Sequence, residues 1–551
     1  MPIRRAGDRS GMHRRKRSLW LMAAVAAGAA LAAAIVVGTH PATSAPVQAV
    51  QSSANTTPVV ETTGGLLLGK SAQGVDEFLG VPYAAPPVGS LRWKPPQPAP
   101  GWSGVREATT YGPNCAQPKS GFGTASTSEN CLYLNVFTPA RASHASASLP
   151  VMVWIHGGAF TYGESNNYNP SALVRAGAVV VTVNYRLGAF GFLADSALAG
   201  HGGSAGNYGL MDQQAALRWV QRNIARFGGN RHNVTLWGES AGGLSVLSQI
   251  ASPGATGLFA KAIVESGAYD LNPESRTAAE TTGAAFAAKV GCAQDTSAQA
   301  AACLRGVPAA KLVAAEPLAG YRPDIDGTVL TQSLQKSFAT GKFNRVPVLN
   351  GSNQDEYRLF VAEDKLAGAP LTAAAYSALV GTVPSVPPGD VQAAVVKYPV
   401  ASYPSVALAL GAVGTDSEFA CPALTVDQLV SRYVPTYGYE FNDENAPELF
   451  LPPVGFSYGA AHESEVQYLF NYVGAPFPAT LSAAQQALAA GMRNAWLAFA
   501  RSGRPASVGD SRWPQFTGVT QKMQSLAPGQ SGVETGFAAS HNCGFWSGIA
   551  G

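Results

Sequence analysis

Short unbroken apolar runs punctuate the chain, and several run straight into glycine. Val151-Met152-Val153-Trp154-Ile155 reads as a buried strand, and Val234-Thr235-Leu236-Trp237 reads the same way. Val346-Pro347-Val348-Leu349-Asn350-Gly351 is a third short buried strand. Beyond the second run the spacing changes: Leu244, Val246, Leu247 and Ile250 suit one side of a buried helix. A further apolar run, Val466 to Phe470, follows a loop of small residues around Ala460 and Ala461.

What lies between the second strand and its helix carries chemistry. Gly238-Glu239-Ser240-Ala241-Gly242 is a G-x-S-x-G turn, and a strand before it with a helix after it is the context of the nucleophile elbow of α/β-hydrolases. Glycines flank such a serine because the turn is too tight for side chains, and Oγ is presented above the sheet. The first strand runs into His156-Gly157-Gly158-Ala159-Phe160. Amides can approach a tetrahedral oxyanion only where side chains are small, so Gly158 and Ala159 are expected to donate with Ala241. Losing one such donor typically costs about 2.7–4 kcal/mol of transition-state stabilisation.

Chain order in this arrangement runs serine, acid, histidine. Of the eight histidines only His462 and His541 follow Ser240, and His541 lies close to Cys543 near the C-terminus. Elimination therefore favours His462 as general base. The acid is less determined. Asp355 and Glu356 follow the third strand and are equally placed, and Asp326, in an Asp-Gly turn, is a weaker rival.

These residues, with others, make the chain resemble the type-B carboxylesterases, the family that includes the cholinesterases. The likeness runs from about Thr57 to Trp546. It is carried by Phe78-Leu79-Gly80-Val81-Pro82-Tyr83-Ala84, Arg92-Trp93, Ser128-Glu129-Asn130-Cys131-Leu132, Asn184-Tyr185-Arg186 and Gly206 to Gln213. The resemblance implies an α/β-hydrolase fold, with a large, mostly parallel central sheet and helices on both faces. It also implies that Glu356 is the acid, that His462 is the base, and that Ser266 supports the acid. It pairs Cys115 with Cys131, Cys292 with Cys303, and Cys421 with Cys543. Two positions depart from the pattern: Tyr357 and Glu463 stand where the family has glycine. A carboxylate next to His462 is expected to raise the pKa of the imidazole.

Charge changes the picture mainly at the N-terminus. Seven basic residues between Arg4 and Arg17 precede an uncharged, mildly apolar run from Leu19 to Gly38. That pattern predicts an export signal over residues 1–45, cleaved near 45 or 49, the alternative being a membrane anchor over 19–38. Residues 46–56 then form a short flexible segment, and 57–551 a single domain without linker or repeat. Removing the signal turns a net charge of +3 into about −3 and leaves no basic patch for nucleic acid. Six cysteines without a C-x-x-C fit disulfides outside the cytosol and argue against a metal or dithiol site. Gly64 to Ser71 matches a phosphate-binding loop, but glycines and prolines follow it where that site needs a helix.

The expected function is that of a secreted serine esterase acting on small-molecule esters through an acyl-enzyme. It requires no cofactor or metal and has no stable membrane association once the signal is removed. A non-catalytic cholinesterase-like recognition protein is the competing class, disfavoured because serine, acid, histidine and glycine loop are all retained. A lipase-type hydrolase is the alternative within the fold. Residues 116–130 contain Phe122 but no tryptophan, so the choline-stacking site of cholinesterases is missing. Oligomeric state is not determined by these features.

Overall fold

The computed structural model describes residues 57–549 except 141, 143–146, 200–204, 294–295 and 317–319. The expected signal and the segment after it lie outside the described residues. An eleven-stranded sheet organises the chain. Its strands are β1 (Lys70–Ala72), β2 (Val75–Pro82), β3 (Tyr133–Pro139), β4 (Leu149–Ile155), β5 (Val179–Val183), β6 (Gly229–Glu239), β7 (Lys261–Glu265), β8 (Val348–Asn353), β9 (Thr436–Phe441), β10 (Met523–Leu526) and β11 (Gly532–Glu534). Their order across the sheet is β11-β10-β9-β8-β7-β6-β4-β5-β3-β2-β1. From β5 to β10 every neighbour is parallel, and only the two edges are antiparallel.

Burial on both faces explains the unbroken apolar runs. On β4, Val151, Val153 and Ile155 join one core with Leu210 and Leu217 of helix α1 (Tyr208–Asn223) and Leu244 and Leu247 of α2 (Ala241–Ala251). Met152 and Trp154 of the same strand point the other way. They pack in a second core with Trp237, Met492, Trp496 and Phe499, the last three from the long helix Ala483–Ser502. Adjacent strand positions thus serve opposite faces, as the period-two pleat dictates.

Several sequence signatures hold connections in place. Arg186, just past β5, grips Asp212 of α1 through two 2.8 Å hydrogen bonds, both side chains being buried. Arg92 pairs with Glu129, and the Trp93 indole donates to the Ala189 carbonyl at 2.7 Å. The phosphate-loop lookalike falls on strands: Gly65–Leu68 pairs with Val59–Thr62, and Lys70–Ala72 is β1. No helix opens behind Ser71. Among the described residues no helix is long and apolar enough to cross a membrane.

Candidate active site

Parallel strands deliver the site to one edge of the sheet. β4, β6, β7 and β8 end side by side, and the loops beyond their carboxyl ends hold the residues of interest. Ser240 sits between β6 and α2 at φ 55° and ψ −123°, a backbone state rare for a side-chain-bearing residue. The elbow is held by the Ser240 amide, which donates to the Glu265 carbonyl at 2.9 Å. Nothing larger than glycine fits at Gly242, where a Cβ would come within 1.9 Å of the Ile155 carbonyl oxygen. Ala241 opens α2, so its amide is among those without an intrahelical partner.

The glycine loop beyond β4 faces the elbow. Gly158, Ala159 and Phe160 take φ values of 102°, 51° and 57°, which turn the backbone sharply at the pocket wall. Gly158 and Ala159 line the same pocket as Ser240 and His462. His156 is buried against Tyr185, and burial lowers its pKa to about 4 against the opposing pull of the Gly157 carbonyl. It is a neutral strut of the loop.

His462 and Glu356 meet although far apart in sequence. Nδ1 of His462 donates to Oε2 of Glu356 at 2.6 Å. The other oxygen of Glu356 accepts from the Ser266 hydroxyl at 2.5 Å and the Asn353 amide at 2.8 Å. The two loops are laced by backbone as well: the His462 amide donates to the Glu356 carbonyl at 3.2 Å, and the Asp355 amide to the Ala460 carbonyl at 3.0 Å. The Phe360 and Phe419 rings flank the imidazole at centroid distances of 5.1 and 5.0 Å. With Nδ1 bound to a carboxylate, Nε2 lies 3.1 Å from Oε1 of Glu239, and His462 and Ser240 line one pocket.

The rival acids are engaged elsewhere. Asp355 accepts the Ala460 amide at 3.0 Å and pairs with Arg358 at 2.6 Å. Asp326 accepts three amides, from Thr328, Val329 and Leu330, and closes its turn. His541 lies between Asp416 and Glu440, at 2.7 and 2.5 Å, in a separate cluster near the C-terminus. Tyr357, one of the two departures, packs its ring on the backbone at Gly414 and donates its amide to Thr415 at 3.0 Å. The carboxyl of Glu463, the other, accepts from the Tyr472 hydroxyl at 2.5 Å.

Sequence reasoning missed Glu239, although it stands in the elbow motif itself. Its Oε1 is 3.1 Å from Nε2 of His462. Burial, reinforced by Glu463, Glu465, Glu356 and Glu265, pushes this carboxyl well above its usual range. It also missed the aromatic wall. Phe122 stacks on Tyr162 at 5.9 Å and on Phe450 at 4.7 Å, residues from three separate loops. Only the tertiary fold brings these together.

Three disulfides join Cys115 to Cys131, Cys292 to Cys303 and Cys421 to Cys543. The first closes the loop that carries Phe122.

Comparison with known proteins gives the family. Residues 56–546 match the carboxylesterase family. Human cocaine esterase is 35% identical over 495 residues, covering 85% of this chain and 87% of that protein. The para-nitrobenzyl esterase of Bacillus subtilis (strain 168) is 34% identical, over 85% of this chain and 94% of the relative. The fumonisin B1 esterase of Sphingopyxis macrogoltabida is 33% identical, over 85% and 86%. With a serine elbow, a glycine loop and a histidine–glutamate pair at the edge of an α/β-hydrolase sheet, and with this match along nearly all of its described length, the chain belongs to the carboxylesterase family of carboxylic ester hydrolases.

Proposed function

We propose that the protein is a secreted serine esterase whose triad is Ser240, His462 and Glu356. The observation that carries the reading is the 2.6 Å bond from His462 Nδ1 to a glutamate that is itself fixed by Ser266 and Asn353. Fixing Nδ1–H leaves the lone pair on Nε2, and His462 lines the same pocket as Ser240. Nε2 takes the hydroxyl proton as Oγ attacks the acyl carbonyl, and Glu356 stabilises the imidazolium that forms. The amides of Gly158, Ala159 and Ala241 receive the oxyanion. His462 then returns the proton to the leaving alcohol, and water repeats the sequence to release the acid. Export through the basic and apolar N-terminal segment supplies the oxidising setting in which three disulfides persist.

A p-nitrophenyl butyrate assay tests the enzyme reading. The purified protein should release p-nitrophenol with a burst equal to the enzyme concentration when deacylation limits. Ser240→Ala should abolish burst and turnover together. Turnover retained by that variant would remove Ser240 as the nucleophile, and inactivity of the wild-type protein across ester chain lengths would favour a recognition role.

A further inference from the structure

Gln117 is 1% exposed and lies in the loop closed by the Cys115–Cys131 disulfide. Its side-chain amide is used on both sides. Oε1 accepts the Gly163 amide at 2.8 Å, while Nε2 donates to the Gly163 carbonyl and to the Cys115 carbonyl, each at 3.1 Å. The oxygen has to meet the one N–H and the nitrogen the two carbonyls, so the partners settle the orientation of the amide. The Gln117 backbone is itself paired with Ser126 in both directions, at 2.9 and 3.1 Å, which gives the clamp a fixed base. Both polar groups of a buried glycine are thus held by one side chain.

The clamped glycine stands behind the oxyanion loop. A trans peptide points its C=O and its N–H in opposite directions, so holding one aims the other. The Ala159 N–H shares a peptide with the Gly158 carbonyl, which accepts the amides of Thr161 and Tyr162 at 2.9 and 3.0 Å. The Gly158 N–H shares a peptide with the Gly157 carbonyl, which lies 2.8 Å from Nδ1 of His156. Gly163 packs on that same carbonyl. At φ 114° its backbone comes so close that a Cβ would stand 2.6 Å from the Gly157 oxygen and 2.5 Å from His156 Nδ1. Thr161, Tyr162 and Gly163 therefore back both donor peptides, and Gln117 fixes the end of that backing. Gly163 lines the pocket with Ser240, but Gln117 does not, so its influence on turnover passes through the loop.

We propose, resting on the esterase reading above, that Gln117 is a positioning residue for the oxyanion hole. Its amide holds the Gly163 peptide groups so that the N–H groups of Gly158 and Ala159 stay aimed where the oxyanion develops. Without it, a buried N–H and a buried C=O lose their partners, and the segment shifts to find others. Gly157 and Gly158 follow, because Gly163 rests against them. The loss falls on the tetrahedral intermediate and not on the bound ester, since only the former presents full negative charge to these donors.

The test uses Gln117→Met, which keeps the length of the side chain and removes both hydrogen-bonding groups, and Gln117→Glu, which keeps an acceptor for the Gly163 amide. p-Nitrophenyl butyrate gives kcat and KM. Propyl trifluoromethyl ketone, to which Ser240 adds reversibly as a hemiketal oxyanion, gives the affinity for the tetrahedral state, and thermal melts show that each variant is folded. In Gln117→Met kcat should fall by about a hundredfold with KM within about threefold of wild type, and the ketone should bind more weakly by a similar factor. Gln117→Glu should lie between that variant and the wild type in both measurements. Unchanged kcat and ketone affinity in a folded variant, or a loss confined to KM, overturns the proposal. If Gln117→Met does not fold, Gln117→Glu decides by the same two measurements. A wild-type protein that neither hydrolyses the ester nor binds the ketone overturns the esterase reading instead.

Discussion

Asp355 and Glu356 are adjacent in sequence and equally placed behind their strand, yet they face opposite tasks. Glu356 bonds to the imidazole, whereas Asp355 ties Ala460 and Arg358 and so braces the loop that carries His462. Glu356→Gln is therefore expected to lower kcat by up to about 10⁴-fold through loss of the anion and a wrong imidazole tautomer, by analogy with the serine-protease aspartate. Asp355→Asn should cost far less in kcat and show itself mainly as a lower melting temperature. Measuring kcat and thermal unfolding for both variants checks the contrast, and a larger kcat loss in Asp355→Asn would reverse the assignment. Glu239 gives a second contrast. Burial and the neighbouring acids push its carboxyl well above the usual range and so favour the uncharged form, and the isosteric Glu239→Gln should keep kcat/KM within about tenfold of the wild-type value, although Oε1 stands 3.1 Å from the histidine. Elimination by chain order reached His462, but it could not separate two neighbouring carboxylates. Which one points at a ring depends on φ and ψ in a loop whose geometry is set by Asn353, at the end of β8, and by Ser266, just past the end of β7.

Among the elements, the C-terminal helix Cys543–Ile549 is held by two devices near its start. One is the Cys421–Cys543 disulfide, which spans 122 residues. The other is His541, buried between Asp416 and Glu440. Burial alone would lower its pKa, but the hydrogen bonds to Asp416 and Glu440 prevail and raise it to about 10. A raised pKa means that the protonated histidine stabilises the fold. That contribution is complete below the ordinary histidine value of about 6.5 and is lost as pH rises through about 10. His541→Gln should destabilise the protein by about 3–5 kcal/mol near pH 6, since it leaves two buried acids without their cation. Its stability should then fall less steeply than that of the wild-type protein between those two pH values, as urea titrations across that range would reveal. Parallel curves would show that the histidine carries no linked proton. Removing the disulfide with paired Cys→Ser changes should cost about 2–5 kcal/mol. The two losses should not add, because both devices fasten one element. Cysteine content and an expected export signal made disulfides legible in the sequence. The histidine clamp was not, because its two carboxylates come from a strand and from the π-helical turn Thr415–Ala420. Phe419 of that same turn packs on His462, and no local pattern marks it.

At the scale of the whole molecule, the legible features were those with a local physical cause. Buried runs such as Val151–Ile155 announced central strands because both faces of the sheet are covered, and the elbow announced itself because its backbone tolerates little beside glycine. The order of eleven strands was not legible, since parallel neighbours such as β6 and β4 are far apart along the chain. The pocket walls were equally hidden, being drawn from loops at distant chain positions. One large-scale expectation rests on sequence alone, the proposed passage of the chain out of the cell. The basic head and mild apolar run end before the family match begins at residue 56. Removal of the segment should therefore leave fold and activity intact, and it turns the net charge from +3 to about −3. Sequencing the N-terminus of protein recovered from the medium should give a start near residue 46 or 50, in a chain that lacks free thiols and hydrolyses esters. Recovery of the full-length chain only from membranes would instead make residues 19–38 an anchor, with the catalytic domain tethered at the surface through the segment that follows.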